Sequence, residues 1–421
     1  MRLRTGLIAL LTAAAVATTT MLAAPPASAE DTRGARERRG DGVRRAVFVG
    51  NNWDGTADIL DPATFRRLGR IDVVPDKAQR IQEIATNPYR FAYFLAIRAL
   101  IGEGHDQLVD DMYSSNDGRM LIVSRPSFAD VVAIDLRTKK IVWRFEVDGV
   151  RSDHMALSPD GRRVAVSAST GNVVHVLRVA DGAEVGRFPS GGSPHENIFI
   201  DGGKRILHAS IGMVYSPLDD PALDPTKQER VLQIVNAKTM EIERSYDLRA
   251  ALDEVGLTDT STAVRPMTLS PDEQTFYFQL SFLHGFVEMD RATGRITRVK
   301  HLPNLVPDMP REQYVLDSAH HGIAMNPAGT KLCVAGTMSD YATVVDADTF
   351  ERGPLQKVQD GKPYWVTPSW DGRTCYISWS GTDQVAKISY RTGRVVTTVP
   401  VGDHPQRVRN GWVRKDLVPT L

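Results

Sequence analysis

The chain has 421 residues, 42% of them hydrophobic, and its 51 Lys+Arg balance its 51 Asp+Glu. That balance excludes a general binder of nucleic acid or other polyanions, which needs a basic field. With only two cysteines, Cys333 and Cys375, the fold cannot rest on a disulfide framework.

In chain order, the first segment reads as an address. Arg2 and Arg4 supply charge, Leu7 to Val16 is apolar, and Ala27-Ser28-Ala29 is a small-residue cleavage site. Residues 1–29 are therefore expected to be a signal peptide for secretion to the extracellular side, leaving no membrane span after cleavage. Residues 30–43 are charged and Gly-rich, and a disordered lead-in is expected there.

Residues 44–415 read as repeated four-stranded units. The clearest is Val147 to Phe188: HMALS is a short strand, Ser158-Pro159-Asp160-Gly161 a tight turn, and Arg162 to Ser167 alternates polar and apolar residues. Asn172 to Val179 is a third strand, Ala180-Asp181-Gly182 a turn, and Glu184 to Phe188 a fourth strand. Such a unit cannot bury both its faces alone, so it must be repeated. The third-to-fourth hairpin recurs seven times, at 59–71, 133–145, 176–188, 234–246, 288–299, 344–355 and 387–399. The turn before the second strand recurs six times: SNDG, SPDG, DGGK, SPDE, NPAG and SWDG. The first hairpin has no such turn ahead of it, while 402–411 looks like an innermost strand with no blade after it. The expected fold is all-β: a seven-bladed β-propeller of four-stranded blades, closed by the C-terminal strand joining the first blade. Residues 416–421 are left as a tail.

The stretches SPDGRRVAVSASTGNVVHVLRVADGAEVGRFPSGGSPHE and RTGRVVTTVPVGDHPQ resemble the YVTN-type repeat of YncE-like and lactonase-like propellers. The resemblance implies a seven-bladed ring with ligands at one mouth of its axis. It carries over no catalytic motif, and propellers host many unrelated activities.

Four stretches exceed the minimal blade: Pro75–Gly104, with a helical run YRFAYFLAIRALIG, Met213–Arg230, Arg249–Thr262 with a short helix, and His301–Ser318. All fall between second and third strands or between blades, so strand direction places them on one face. Long loops on a rigid scaffold are where sites usually lie, although these could equally cap apolar surface.

Counting back seven places from the turn Asp, or its equivalent, gives one residue per innermost strand at that face: Asp110, Asp153, His195, Arg265, His321, Tyr364 and, from the closing strand, Gln406. The next places are Asp111, His154, Glu196, Pro266, Gly322, Trp365 and Arg407. Two or three places further on, residues turn mostly small or apolar, so polar groups concentrate where the funnel opens. Asp110, Asp153, His154, Glu196, Gln406 and Arg407 are candidate ligand-binding residues. Catalysis would fall to His195 or His321 as base, Tyr364 as acid and Arg265 or Arg407 holding a substrate carboxylate. A divalent transition metal is one candidate cofactor, with His195, His321 and Asp153 as its ligands. Solvation of strand starts at a wet channel is the plainer account of any single member.

Cys333 and Cys375 sit on second strands of neighbouring blades at positions of opposite parity, which predicts two buried free thiols. Of His320-His321, alternation lets only one face the axis. Trp365, Trp370 and Trp379 suit a sugar platform, but blade cores use Trp routinely. Two functions follow. One is a secreted propeller binding a polar ligand, either a small molecule or saccharide, or an extracellular protein, at the insertion-bearing mouth. The other is a lyase or hydrolase acting there on an acidic saccharide or lactone.

Overall fold

Turn chemistry sets the strand spacing. In the third unit the Ser158 hydroxyl donates to Asp160 at 2.6 Å, and the same carboxylate oxygen accepts from the Arg162 amide at 3.0 Å. Gly161 takes φ 70°, a left-handed value that glycine adopts without a Cβ clash. The computed structural model describes residues 42–421, apart from 215–220, 315 and 317. The leader and most of the lead-in expected at 1–43 lie outside the described residues.

Numbered in chain order, the strands are β1 to β28, and they form seven four-stranded antiparallel sheets. The fold is a seven-bladed β-propeller. Its first blade is closed by β28 (Pro405–Arg414), which pairs with β1 (Val43–Asn51) from Val43↔Arg414 to Asn51↔Pro405. The other innermost strands are β4 (Met112–Ser114), β8 (Ser152–Leu157), β12 (Pro194–Ile200), β16 (Val264–Leu269), β20 (Ile323–Met325) and β24 (Pro363–Pro368). The expected tail packs on the first blade instead of trailing: Leu417 is buried, and Leu421 rests against the same apolar cluster.

The core lies between the blades. Each pair of neighbours shares one apolar cluster, as where Val131 and Ala133 of the second blade meet Met155 and Val164 of the third. The seven interfaces are filled in this way around the ring. Both faces of a second strand are therefore buried, which explains runs such as Leu121-Ile122-Val123 on β5 (Met120–Arg125), where a half-exposed strand would alternate.

The cysteines correct the free-thiol expectation: Cys333 and Cys375 form a disulfide. Cys333 lies on β21 (Lys331–Gly336) and Cys375 on β25 (Thr374–Trp379), and both belong to the cluster between the sixth and seventh blades. Opposite parity was the right observation with the wrong consequence. On one sheet it separates two side chains, but on adjacent blades it turns them toward each other. The bridge spans 42 residues of sequence. Reduction, or the double change Cys333→Ala/Cys375→Ala, is expected to cost about 2–4 kcal/mol through the unfolded state. Urea unfolding with and without reductant measures it, and an unchanged midpoint would show that the bridge adds nothing.

Three short α-helices occur among the described residues, and none is long and apolar enough to cross a membrane. Two of them, α1 (Lys77–Ala85) and α2 (Pro88–Leu100), make up the first insertion. Asn87 caps α2 by accepting from the amides of Tyr89 and Arg90. Buried Arg80 anchors the pair to the second blade through Asp130 at 3.2 Å and the Phe128 carbonyl at 2.8 Å. Arg125 joins Asp130 to Asp76 beside it. The third helix, α3 (Leu248–Glu254), is the expected short helix of the third insertion. Its Leu248, Ala251 and Leu252 enter the core between the fourth and fifth blades.

Candidate functional site

The site begins with a backbone irregularity repeated around the ring. In β8, Ser152 pairs with Ala168 and Met155 with Val166, so Asp153 and His154 together oppose one residue, Ser167. The same bulge sets His195-Glu196, Arg265-Pro266, Tyr364-Trp365 and Gln406-Arg407 each against a single partner position. In the two blades with short inner strands, Asp110 donates its amide to the Ser124 carbonyl and Asp111 accepts from the Ser124 amide. His321 and Gly322 treat Ala335 likewise. A bulge re-aims side chains that a regular strand would send to opposite faces. The first ring and His154 of the second are thereby brought to one cavity.

Small polar residues of the second strands hold these bulges in place across the blade interfaces. The hydroxyls of Ser124, Ser167 and Ser378 donate to the carbonyls of Asp153, His195 and Gln406 in the next blade, at 2.8–2.9 Å. Gln279 grips the backbone of Gly322 through both its amide atoms. A Ser following an apolar residue in IVSR, AVSA and YISW was the signal for this stitching in the sequence.

All seven residues of the first ring, Asp110, Asp153, His195, Arg265, His321, Tyr364 and Gln406, line one cavity of about 340 Å³, joined by His154 of the second ring. Three of the four insertions complete its wall: Tyr93, Leu100 and Ile101 from the first, Met213 and Val214 from the second, and Glu312, Tyr314 and Leu316 from the fourth. Sequence counting missed Arg151, which also lines the cavity and holds Asp153 at 2.7 Å. It lies one place before its strand, outside the counted positions. Of the histidine pair, His321 faces the cavity and stacks on Tyr364 at 3.9 Å. His320 turns away to the Tyr341 hydroxyl and the His284 ring. Alternation holds for that pair and breaks only at the bulge.

Charged members of the second ring pair with their neighbours close to the cavity. Arg407 reaches Asp110 at 3.3 Å, and its guanidinium lies 4.0 Å over Trp365. Arg409, two places further along β28, forms a two-pronged pair with Asp111 at 2.8 and 2.7 Å and stacks on Trp365 and Tyr113. The position two or three places past the ring is thus not uniformly small: in the first and second blades it carries Arg409 and Tyr113. Of the tryptophans, Trp379 is core, Trp370 packs on Trp412 and Arg45 away from the cavity, and Trp365 stacks with Arg407 and Arg409.

Ionisation follows burial here. Desolvation raises the Asp110 carboxyl to about 7 despite the opposing pull of Arg407, and raises Glu196 to about 8. Burial, aided by Arg407 or Arg265, drops His154, His195 and His321 well below the usual imidazole range, so all three are neutral. His154 Nδ1 pairs with Glu196 at 2.7 Å. One ligand atom from each of His154, His195 and His321 lies within 4.8 Å of the others. Asp153 groups instead with Asp110 and His154.

No protein-family model and no curated protein matches this chain. Among solved structures, Kuenenia stuttgartiensis hydrazine synthase is similar, with a TM-score of 0.53 and 18% identity over 74% of this chain and 96% of that one. At that identity the likeness carries the fold alone. Since 1563 solved chains match, the architecture singles out no activity. The resemblance to YVTN-type repeats is matched as a seven-bladed propeller and not as family membership.

Proposed function

We propose that this protein is a secreted propeller that binds a small polar ligand of the sugar-acid or hydroxy-acid class at its insertion-bearing mouth. The observation that carries the reading is that every one of the seven blades contributes a polar side chain to one cavity. Its volume falls at the small end of ligand pockets, which span roughly 300–1,000 Å³. Arg151 and Arg265 offer fixed positive charge for a carboxylate, while Asp153, Gln406 and Tyr364 offer partners for hydroxyls. Secretion is supported by the leader-like pattern at 1–29 and by the disulfide, which suits an oxidising compartment.

Binding of D-galacturonate, D-glucuronate and D-gluconate to the full-length protein, followed by calorimetry, tests this. At least one acid is expected to bind in the millimolar range or tighter. Arg265→Ala should weaken it tenfold or more, the cost of losing a charge-assisted hydrogen bond. If none of the acids binds, or if Arg265→Ala and Gln406→Ala bind as the wild type does, the reading fails.

The neutral imidazoles favour a second reading, in which the same mouth catalyses elimination or hydrolysis on an acidic saccharide or lactone. Buried His195 and His321 are uncharged, so each keeps a ring lone pair that could accept a proton, beside a Tyr364 hydroxyl that burial keeps protonated. Turnover of a uronic-acid oligosaccharide or a sugar lactone, lost in His195→Ala, would replace the binding reading with this one.

A further inference from the structure

The geometry points to a three-nitrogen site for a divalent transition metal ion, formed by His154, His195 and His321 at the foot of the cavity. The ligand atoms already lie within 4.8 Å of one another. Tetrahedral zinc with Zn–N bonds of about 2.0–2.1 Å needs the nitrogens roughly 3.4 Å apart, a closure within reach of small ring rotations. All three imidazoles are buried. Nδ1 of His195 has no hydrogen-bond partner, and the ring nitrogens of His321 approach the backbone of His321 and Tyr364 without a well-formed bond. Leaving a buried polar atom unpaired is unfavourable. Coordination would offset that cost.

The fourth element is Glu196. Its bond to His154 Nδ1 fixes that ring and leaves Nε2 for an ion, the carboxylate–histidine arrangement that orients metal ligands. The neighbouring aspartates are less suited, because Asp153 is engaged by Arg151 and Asp110 by Arg407. Four arginines, Arg151, Arg265, Arg407 and Arg409, face the site, and the burial that raises the Asp110 and Glu196 carboxyls leaves their charge incompletely balanced. An ion here would therefore carry unbalanced positive charge toward the cavity. Its open position would accept a carboxylate or hydroxide. Three histidines with one open position is the composition of a reactive centre, whereas structural sites are closed by four protein ligands.

The test uses the full-length protein, stripped with chelator and titrated with Zn(II) or Co(II). One ion per chain is expected, with Co(II) giving the intense visible bands of a four-coordinate site. His195→Ala and His321→Ala should each weaken binding by 100-fold or more, and His301→Ala, an exposed histidine elsewhere, should not. Glu196→Gln is expected to weaken binding 10- to 100-fold, in line with loss of a partner that orients a ligand. Melting of each metal-free variant confirms folding, and Glu196→Gln remains informative if an alanine variant misfolds. Failure of the folded wild type to retain an ion, or equal retention by His321→Ala, overturns the site. Binding of sugar acids is measured separately on the stripped protein, so either proposal can fail without the other.

Discussion

Removing the residues beyond Pro400 is expected to abolish cooperative folding. The deleted strand β28 is the inner strand of the first blade, held to β1 by nine register pairs. Its loss strips one side of that ladder and opens the interfaces on both sides of the blade, where Val408 packs toward the seventh blade and Val413 and Leu417 toward the second. Burial of each such side chain contributes about 1.5–3 kcal/mol. Together with the lost ladder, that approaches the 5–15 kcal/mol that holds a typical domain together. The truncated chain should show no sharp thermal transition and should be cut readily by protease at blade turns. A cooperative melt at the wild-type midpoint would mean that the ring does not depend on this closure.

The scaffold is legible in the sequence because its signals are local. A turn such as Ser158-Pro159-Asp160-Gly161 needs a serine, an aspartate and a residue tolerant of positive φ, and those needs are met within four positions. Once the turns are placed, the residue seven places earlier is placed too, so the first ring can be counted. What escapes the count depends on contacts between blades. Asp153 and His154 share a direction only because the chain bulges against Ser167, and nothing within HMALS announces the bulge. Cys333 and Cys375 stand on neighbouring blades, where opposite parity turns two side chains toward the shared interface, and nothing local to either strand shows that facing. Arg409 carries no local signal, because its partner Asp111 lies 298 residues away. The resemblance to YVTN-type repeats carries these local signals, and so it reaches the fold and stops short of the site.

Asp111→Ala is expected to be the most damaging single substitution near the site. The carboxylate is fully buried and is shared by three blades. One oxygen accepts from the Met112 amide at 2.8 Å and from Arg409 Nε at 2.8 Å. The other accepts from the Met155 amide in the third blade at 3.1 Å and from Arg409 of the closing strand at 2.7 Å. Alanine would leave the largely buried Arg409 guanidinium without its counter-ion and close to Arg407. Breaking a buried pair from one side costs about 3–5 kcal/mol, largely the penalty of the stranded charge. Asp111→Asn keeps the shape and one acceptor and should cost less. The double change Asp111→Ala/Arg409→Leu removes the stranded charge and should recover part of the loss, giving a coupling of about 1–3 kcal/mol in a double-mutant cycle. Urea midpoints of the three variants decide the matter. If Asp111→Ala lies within about 1 kcal/mol of wild type, or the double variant is no better than the single one, Asp111 does not tie the blades together through Arg409.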